Sequence, residues 1–188
     1  RGEGDGERWR TSLRSRGSVS LGRYVHDPIA FTDDLIPKNE KGQRWTLSAY
    51  QRRVLRLVFA WDAEGRLGHR LLVWSEPKKS GKTFIAAVLT LWWAYTNAHT
   101  EVIVVANDYE QAAGRVFKTI VDLCRANPAL AASVSLRASD RVTVSNGTTI
   151  TPIASEYRGA AGSRHSLYVV DKPWGIMEER AVRLIEEL

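Results

Sequence analysis

Three short runs of wholly apolar residues constrain this chain more than any other feature: Leu71-Leu72-Val73-Trp74, Val102-Ile103-Val104-Val105 and Leu167-Tyr168-Val169-Val170. A strand with one wet face alternates apolar and polar residues, whereas an unbroken apolar run needs cover on both faces. Between the first two runs lies Lys82 to Asn97, apolar nearly all round, as a well-covered helix would be. After the second, Asn107 or Asp108 can cap a further helix that ends near Asn127-Pro128. Strands alternating with helices in this way predict an α/β fold with a parallel sheet between helical layers. The phosphate-loop candidate discussed below would then leave a strand at Arg70 to Ser75.

The remaining elements fit around that frame. Ser48 to Trp61 sets Val54, Leu55, Val58 and Phe59 at helical spacing behind Ser48 as N-cap. Gly65 and Gly68 mark a turn. Val134 to Ile153 alternates about Asn146-Gly147, which predicts an antiparallel hairpin as an excursion from the parallel sheet. Tyr24 to Gly42, with Pro28 and Pro37, reads as a lead-in wrapping the domain. Residues 1–20, rich in Gly, Ser and Arg, read as a solvated arm. Contact of Arg8, Arg10, Arg14 and Arg16 with nucleic acid is the alternative.

Composition narrows the class. With 188 residues, 44% apolar and 26% charged, the chain has material for one domain with a real core. Those values exclude a disordered tail, a collagen-like repeat and a small disulfide scaffold; Cys124 has no cysteine to pair with. A net charge of +6 favours a polyanionic partner. The longest apolar stretch, Phe84 to Tyr95, is broken by Thr90 and falls short of a membrane span, so no membrane partner is expected. The chain starts at Arg1, holds its only methionine at Met177, and closes on a helical pattern without a stop signal, so we expect a fragment of something longer.

The chemistry-bearing segment is Ser75-Glu76-Pro77-Lys78-Lys79-Ser80-Gly81-Lys82-Thr83, at a predicted strand-to-helix junction. Its Gly-Lys-Thr ending matches the second half of the P-loop pattern, with Glu76 where the first glycine would stand. A tight loop followed by a helix start presents convergent N–H donors and a positive dipole to phosphate oxygens. Gly81 allows close approach, Lys82 would reach the terminal phosphates, and the Thr83 hydroxyl would take a position on Mg²⁺. Leu167 to Val170 ending in Asp171 has the form of a strand carrying a metal-holding acid at its C-terminal end. Other candidates read as ordinary: His26, His69, His99 and His165 lack metal spacing, and Asp33-Asp34 reads as solvated loop charge. Cys124 reads as a core residue and Trp92-Trp93 as packing. Arg137, Arg141, Arg158 and Arg164 read as solvated, with DNA contact or an arginine finger as alternatives.

These motifs, in this order, resemble the ATPase domain of the large terminase subunit of tailed bacteriophages, the motor that packages DNA into procapsids. Leu47-Ser48-Ala49-Tyr50-Gln51-Arg52 is similar to the family's adenine-contacting segment, and Pro77 to Thr83 to its glycine-poor Walker A loop, with Lys78 at a position often basic. Ser155 to Gly162 resembles the stretch before the family's Walker B strand, and Asp171 to Gly175 with Glu178-Glu179-Arg180 the end of that strand and the next helix.

The resemblance implies a P-loop NTPase three-layer sandwich over residues 24–188 behind a flexible basic arm, 1–23. The coupling motif and nuclease domain would lie beyond Leu188. It implies ATP and Mg²⁺ as cofactors. Tyr50 and Gln51 would lie at the adenine, and Pro77, Lys78, Lys79, Ser80, Gly81, Lys82 and Thr83 around the phosphates. Thr83 and Asp171 would hold the metal, and Lys78 would stabilise γ-phosphate charge in cis or across a subunit interface. The implied partners are double-stranded DNA, a homo-oligomeric ring on a portal and a small terminase subunit, in the host cytoplasm. One departure bears on catalysis: Lys172 stands where the family has the glutamate that acts as general base, so hydrolysis is expected to be impaired. A helicase-like translocase and a non-catalytic nucleotide- or DNA-binding assembly module are the alternatives.

Overall fold

The computed structural model describes residues 21–106, 109–137, 140–154 and 165–171. Residues 1–20 of the proposed arm, the segment 155–164 and everything from Lys172 onward lie outside the described residues.

The lead-in is tied down by local chemistry. A 3-10 turn, Leu21–Tyr24, precedes helix α1, Pro28–Leu35. The Asp27 carboxylate caps α1 by accepting from the N–H groups of Ile29 at 3.0 Å and Ala30 at 2.9 Å, and Pro28 occupies the first turn, where no donor is needed. Tyr24 and Phe31 are fully buried and meet edge to face at 5.8 Å, so this segment is part of the core. Asp33 and Asp34 therefore stand on a helix, not in a solvated loop. The Arg52 guanidinium grips Asp33 through two bonds of 2.7 and 2.6 Å, and Asp34 accepts from the Tyr24 hydroxyl at 3.1 Å.

Helix α2, Ala49–Val58, begins as its sequence predicts. Ser48 Oγ accepts from Gln51 N at 3.2 Å while Gln51 Oε1 accepts from Ser48 N at 2.9 Å, a reciprocal capping box. Helix α3, Lys82–Thr96, is the most buried helix face of the described structure, contributing Ala87, Val88, Leu91, Trp92 and Ala94 to the core. Strand β1, Glu101–Ala106, follows after a short connection. Helix α4 runs from Tyr109–Ala112 through a π-helical turn, Ala113–Phe117, into Lys118–Ala126, and a short helix α5, Pro128–Ala131, follows. Asn127 between them is fully buried, and its amide bonds Lys38 N and O at 3.0 Å each, fastening the lead-in to the end of α4.

The sheet adds β2, Val134–Arg137, β3, Arg141–Val144, β4, Thr149–Ala154, and β5, His165–Val170, in the spatial order β2-β3-β4-β1-β5. β1 pairs in parallel with both β4 and β5, from Glu101↔Thr149 to Ala106↔Ala154 on one side and through Val105↔Val170 on the other. β2, β3 and β4 form an antiparallel meander at the other end. The Asn146-Gly147 hairpin is there, but β4 leaves it directly into the parallel part, so it is built into the sheet. Gly147 sits at φ +86°, and the Asn146 side chain donates to Ala94 O at 2.9 Å and Tyr95 O at 3.1 Å, closing the end of α3.

One face of β1, Val102 and Val104, joins the main core with Leu91, Trp92, Ile120, Leu123 and Ile150. Its other face, Ile103 and Val105, meets Ile153, Tyr168 and Val170. Both apolar faces of β1 are thus covered, as its sequence requires. Cys124 and Trp92 are core residues, and burial pushes the Cys124 thiol up to about 12. The described residues show the sheet and one helical layer of the predicted sandwich.

The strand predicted at Arg70 to Ser75 is not formed: this segment has no regular structure and no place in the described sheet. Leu71 and Val73 are 63% and 75% exposed, and only Trp74 packs, against the satellite cluster of Leu47, Leu55 and Ile85. Strand geometry is held by hydrogen bonds from a neighbouring strand, and no described strand flanks this run. An apolar run without such a partner remains irregular.

Candidate functional site

The loop from Ser75 to Gly81 feeds straight into α3, and its shape depends on two left-handed residues. Gly81, the N-cap, has φ +94°, and Lys79 has φ +69°. Glycine takes that conformation without cost, while Lys79 does so against the preference of an L side chain. Gly81 caps α3 with no side-chain hydrogen bond, so the first N–H groups of the helix are not satisfied by a capping side chain.

Lys82 folds back over the loop. Its Nζ donates to Glu76 O at 2.5 Å, Pro77 O at 2.8 Å and Ser80 Oγ at 3.4 Å. The ammonium is therefore drawn to the helix start, where the macrodipole is also positive, and both attract an anion. Lys78 and Lys79 are exposed beside it, and Thr83 is half-buried in the first turn of α3.

Two predicted base-side residues arrive at this loop, though in altered roles. A Cβ on Gly81 would lie 3.9 Å from Gln51 Nε2, so the glutamine amide sits against the loop. Its Oε1 is committed to the α2 capping box, which leaves the Nε2 donor facing the site. Tyr50 is 58% exposed and contributes to holding the Glu76 carboxyl below its ordinary range.

Glu76 is the residue that sequence reasoning missed, having registered it only as a missing glycine. Its carboxyl lies below the usual range, foremost because the Ser80 hydroxyl donates to it, with Trp74 and Tyr50 as further donors and the Lys82 ammonium nearby. The available signal was an acid within a run of basic loop residues.

Asp171 follows β5 at the end where Asp171 N donates to Val105 O at 2.9 Å. Trp93 Nε1, near the end of α3, donates to Ser166 Oγ at 3.0 Å, at the start of β5. A helix of this length spans ~22 Å and the paired strands ~20 Å, so a helix ending at the start of β5 begins toward the end that carries Asp171. The loop and Asp171 thus belong to the C-terminal side of the parallel strands, where ligands of open α/β sheets gather. Lys172, Arg158 and Arg164 lie outside the described residues. No cluster of three or more metal-ligating side chains occurs among the described residues, and a cleft of about 260 Å³ between α1 and α2, lined by His26, Asp27, Leu55 and Phe59, is not part of the loop.

The donor set fits a polyphosphate: a helix start without side-chain cap, an ammonium held over it, and flanking lysines. Thr83 and Asp171 carry oxygen atoms of the kind Mg²⁺ takes. No protein-family model matches the chain, and no curated protein does. Among solved structures it is similar to the large terminase of bacteriophage HK97, with a TM-score of 0.65 and 22% identity, over 78% of this chain and 30% of that one. The chain spans less than a third of that terminase's length, and the likeness is one of fold: a terminase-like α/β domain.

Proposed function

We propose that this chain is the ATP-binding motor domain of a DNA-packaging terminase, built to couple ATP hydrolysis to movement of double-stranded DNA into procapsids. The observation that carries the reading is Lys82 at the N-terminus of α3, its ammonium held over a glycine-poor loop in a fold similar to that of the HK97 large terminase. In this reading Lys82, Lys78, Lys79 and the N–H groups of the loop bind the phosphates, with Pro77, Ser80 and Gly81 shaping the cradle. Thr83 and Asp171 hold Mg²⁺, which would neutralise charge on the phosphate oxygens. Gln51 Nε2 and Tyr50 face the base. The partners that go with it are DNA, further copies of the chain in a ring on a portal, and a small terminase subunit, in the host cytoplasm.

Hydrolysis also requires an acceptor for the proton of the attacking water. Lys172, one residue past Asp171, is cationic at neutral pH, and phosphate anions favour that charged form. The chain as it stands therefore binds Mg·ATP and turns it over slowly. That same lysine favours one second reading, a nucleotide-binding assembly module that does not hydrolyse.

Calorimetric titration with Mg·ATP tests the binding half. Lys82→Ala should lose roughly 10- to 100-fold in affinity, the worth of charge-assisted bonds to phosphate. Equal affinity in both proteins would remove the phosphate assignment. A phosphate-release assay tests the catalytic half: Lys172→Glu should raise turnover by about 10²–10⁴-fold, the usual worth of a general base. Unchanged turnover leaves the module reading in place.

A further inference from the structure

Arg52, the residue after Gln51, uses all three nitrogens of its guanidinium on the protein. Nη1 and Nη2 donate to the two oxygens of the Asp33 carboxylate at 2.7 and 2.6 Å, and Nε donates to Leu47 O at 3.2 Å. A planar fork matched to a carboxylate fixes direction as well as distance, which a lysine ammonium does not do. Asp33 stands on α1, whose Phe31 and Thr32 are buried, so the fork ties the start of α2 to a helix seated in the core. Leu47 is held at both ends, its side chain in the cluster with Leu55 and Ile85 and its carbonyl on Arg52. The Arg52 and Asp33 side chains are 26% and 38% exposed, and ion pairs as wet as this add little to stability. What the pair does fix is geometry. Leu47 precedes Ser48, the N-cap of α2, and the Ser48 N–H donates to Gln51 Oε1 at 2.9 Å. Helix ends fray, so a first turn that must aim a side chain needs an external tie. The side chain aimed here is Gln51, whose Nε2 lies 3.9 Å from where a Cβ on Gly81 would stand.

We propose that Asp33 and Arg52 are positioning residues for the nucleobase: their fork holds Leu47 and the N-cap of α2 against α1, and so keeps the Gln51 amide aimed at the site beside Gly81. The proposal rests on the reading above, in which the loop takes the phosphates and Gln51 faces the base, and adds two residues that act only through Gln51. It divides the site into two supports. The phosphate side, Gly81 and Lys82, belongs to the loop and the start of α3. The base side hangs on α2, and α2 on α1 through the fork. Loss of the fork therefore weakens recognition of the base and spares recognition of the phosphates.

The test is calorimetric affinity for two ligands, Mg·ATP and Mg·tripolyphosphate, which carries the phosphates without a base. The proteins are the parent chain, Asp33→Asn, Arg52→Lys, Gln51→Ala and the double variant Asp33→Asn/Gln51→Ala. Asp33→Asn keeps the shape and removes the charge, while Arg52→Lys keeps the charge and removes the fork. Each should bind Mg·ATP roughly three- to tenfold more weakly, the net worth of one hydrogen bond, and bind Mg·tripolyphosphate as the parent does. Retained tripolyphosphate binding also shows that the variant is folded. In the double variant the loss for Mg·ATP should equal that of Gln51→Ala alone, because residues acting through one contact are not additive. Three results overturn the proposal: Mg·ATP affinity unchanged in both fork variants, equal losses for the two ligands, or losses that add to that of Gln51→Ala. Failure of the underlying reading looks different. A parent chain that binds neither ligand removes the phosphate site, and Gln51→Ala binding Mg·ATP like the parent removes the base contact; either result takes the positioning role with it.

Discussion

In β1, Val102, Val104 and Val105 are shut away from water by a strand on each side and by α3 and α4. About thirty residues earlier, Leu71 and Val73 are exposed with no described strand beside them, and only Trp74 finds a packing site among the described residues. The two tetrapeptides have nearly the same hydrophobicity, so hydrophobicity does not separate their fates. What separates them is partners: β1 has eleven paired positions with its two neighbours and the loop's lead-in has none among the described strands. In the sheet half, burial and hydrogen bonding coincide. The loop half holds its shape through a few polar contacts around Glu76, Lys82 and Gln51.

The comparison can be broken first where its contrast is greatest. Trp92 is fully buried and donates to Tyr24 O, joining α3 to the lead-in. Trp92→Ala should cost ~3–5 kcal/mol, read from urea unfolding. A cost under about 1 kcal/mol would mean that the core does not depend on α3 in this way.

Alkaline pH probes the same half. Burial raises the folded-state pKa of Cys124 to about 12 and that of Tyr95 beyond its ordinary value. A raised pKa favours the protonated group in the folded state, so this stability is complete below the unfolded value near 9 for the thiol and is lost as pH rises toward 12. At about pH 10.5 the loss from Cys124 should be on the order of 2 kcal/mol, and Cys124→Ala should flatten that limb of the pH–stability curve. Glu76, with its lowered pKa, acts in the opposite direction: its contribution is present above the ordinary carboxylate value and fades as acid protonates it through its folded value.

Ser48→Ala lies between the two halves, because the capping box it breaks also aims Gln51 at Gly81. Helix capping predicts a loss of ~1 kcal/mol, with Gln51 freed to leave the loop. Smallest of all, Val73→Ser should change stability by less than ~0.5 kcal/mol, as exposed substitutions do. A loss comparable to that of a buried valine would show that this segment is covered after all.

Much of the fold was legible because its signals are local. The Ser48 cap and the backbone turn at Asn146-Gly147 are made by residues close in sequence, and α2 and the hairpin begin and turn where those residues say. Lys82 and Gly81 were legible for the same reason, since a Gly-Lys-Thr helix start is a contiguous motif. Glu76 was not: its partners Tyr50 and Trp74 come from separate segments, and its meaning depends on their meeting. Asp33 misled in the same way, since its neighbour Arg52 is nineteen residues away in sequence and at hydrogen-bonding distance in space. The predicted roles of Asp171 with Thr83 rest on which end of the sheet they share, and the role of Lys172 falls beyond the described residues.

By itself, then, the sequence determined where helices start, how α3 is covered, which turn closes the hairpin, that β1 is a buried strand and that β5 is a strand. A helix closes its hydrogen bonds four residues away, and a cap or tight turn closes them nearer still, so local residue order is sufficient. Tertiary structure alone decided that Arg70 to Ser75 stays irregular, that β4 leaves the hairpin to run parallel with β1, and that Lys82 folds back onto the carbonyls of Glu76 and Pro77. Strand pairing and charge pairing both depend on what another part of the chain brings alongside, and no single segment encodes its neighbour.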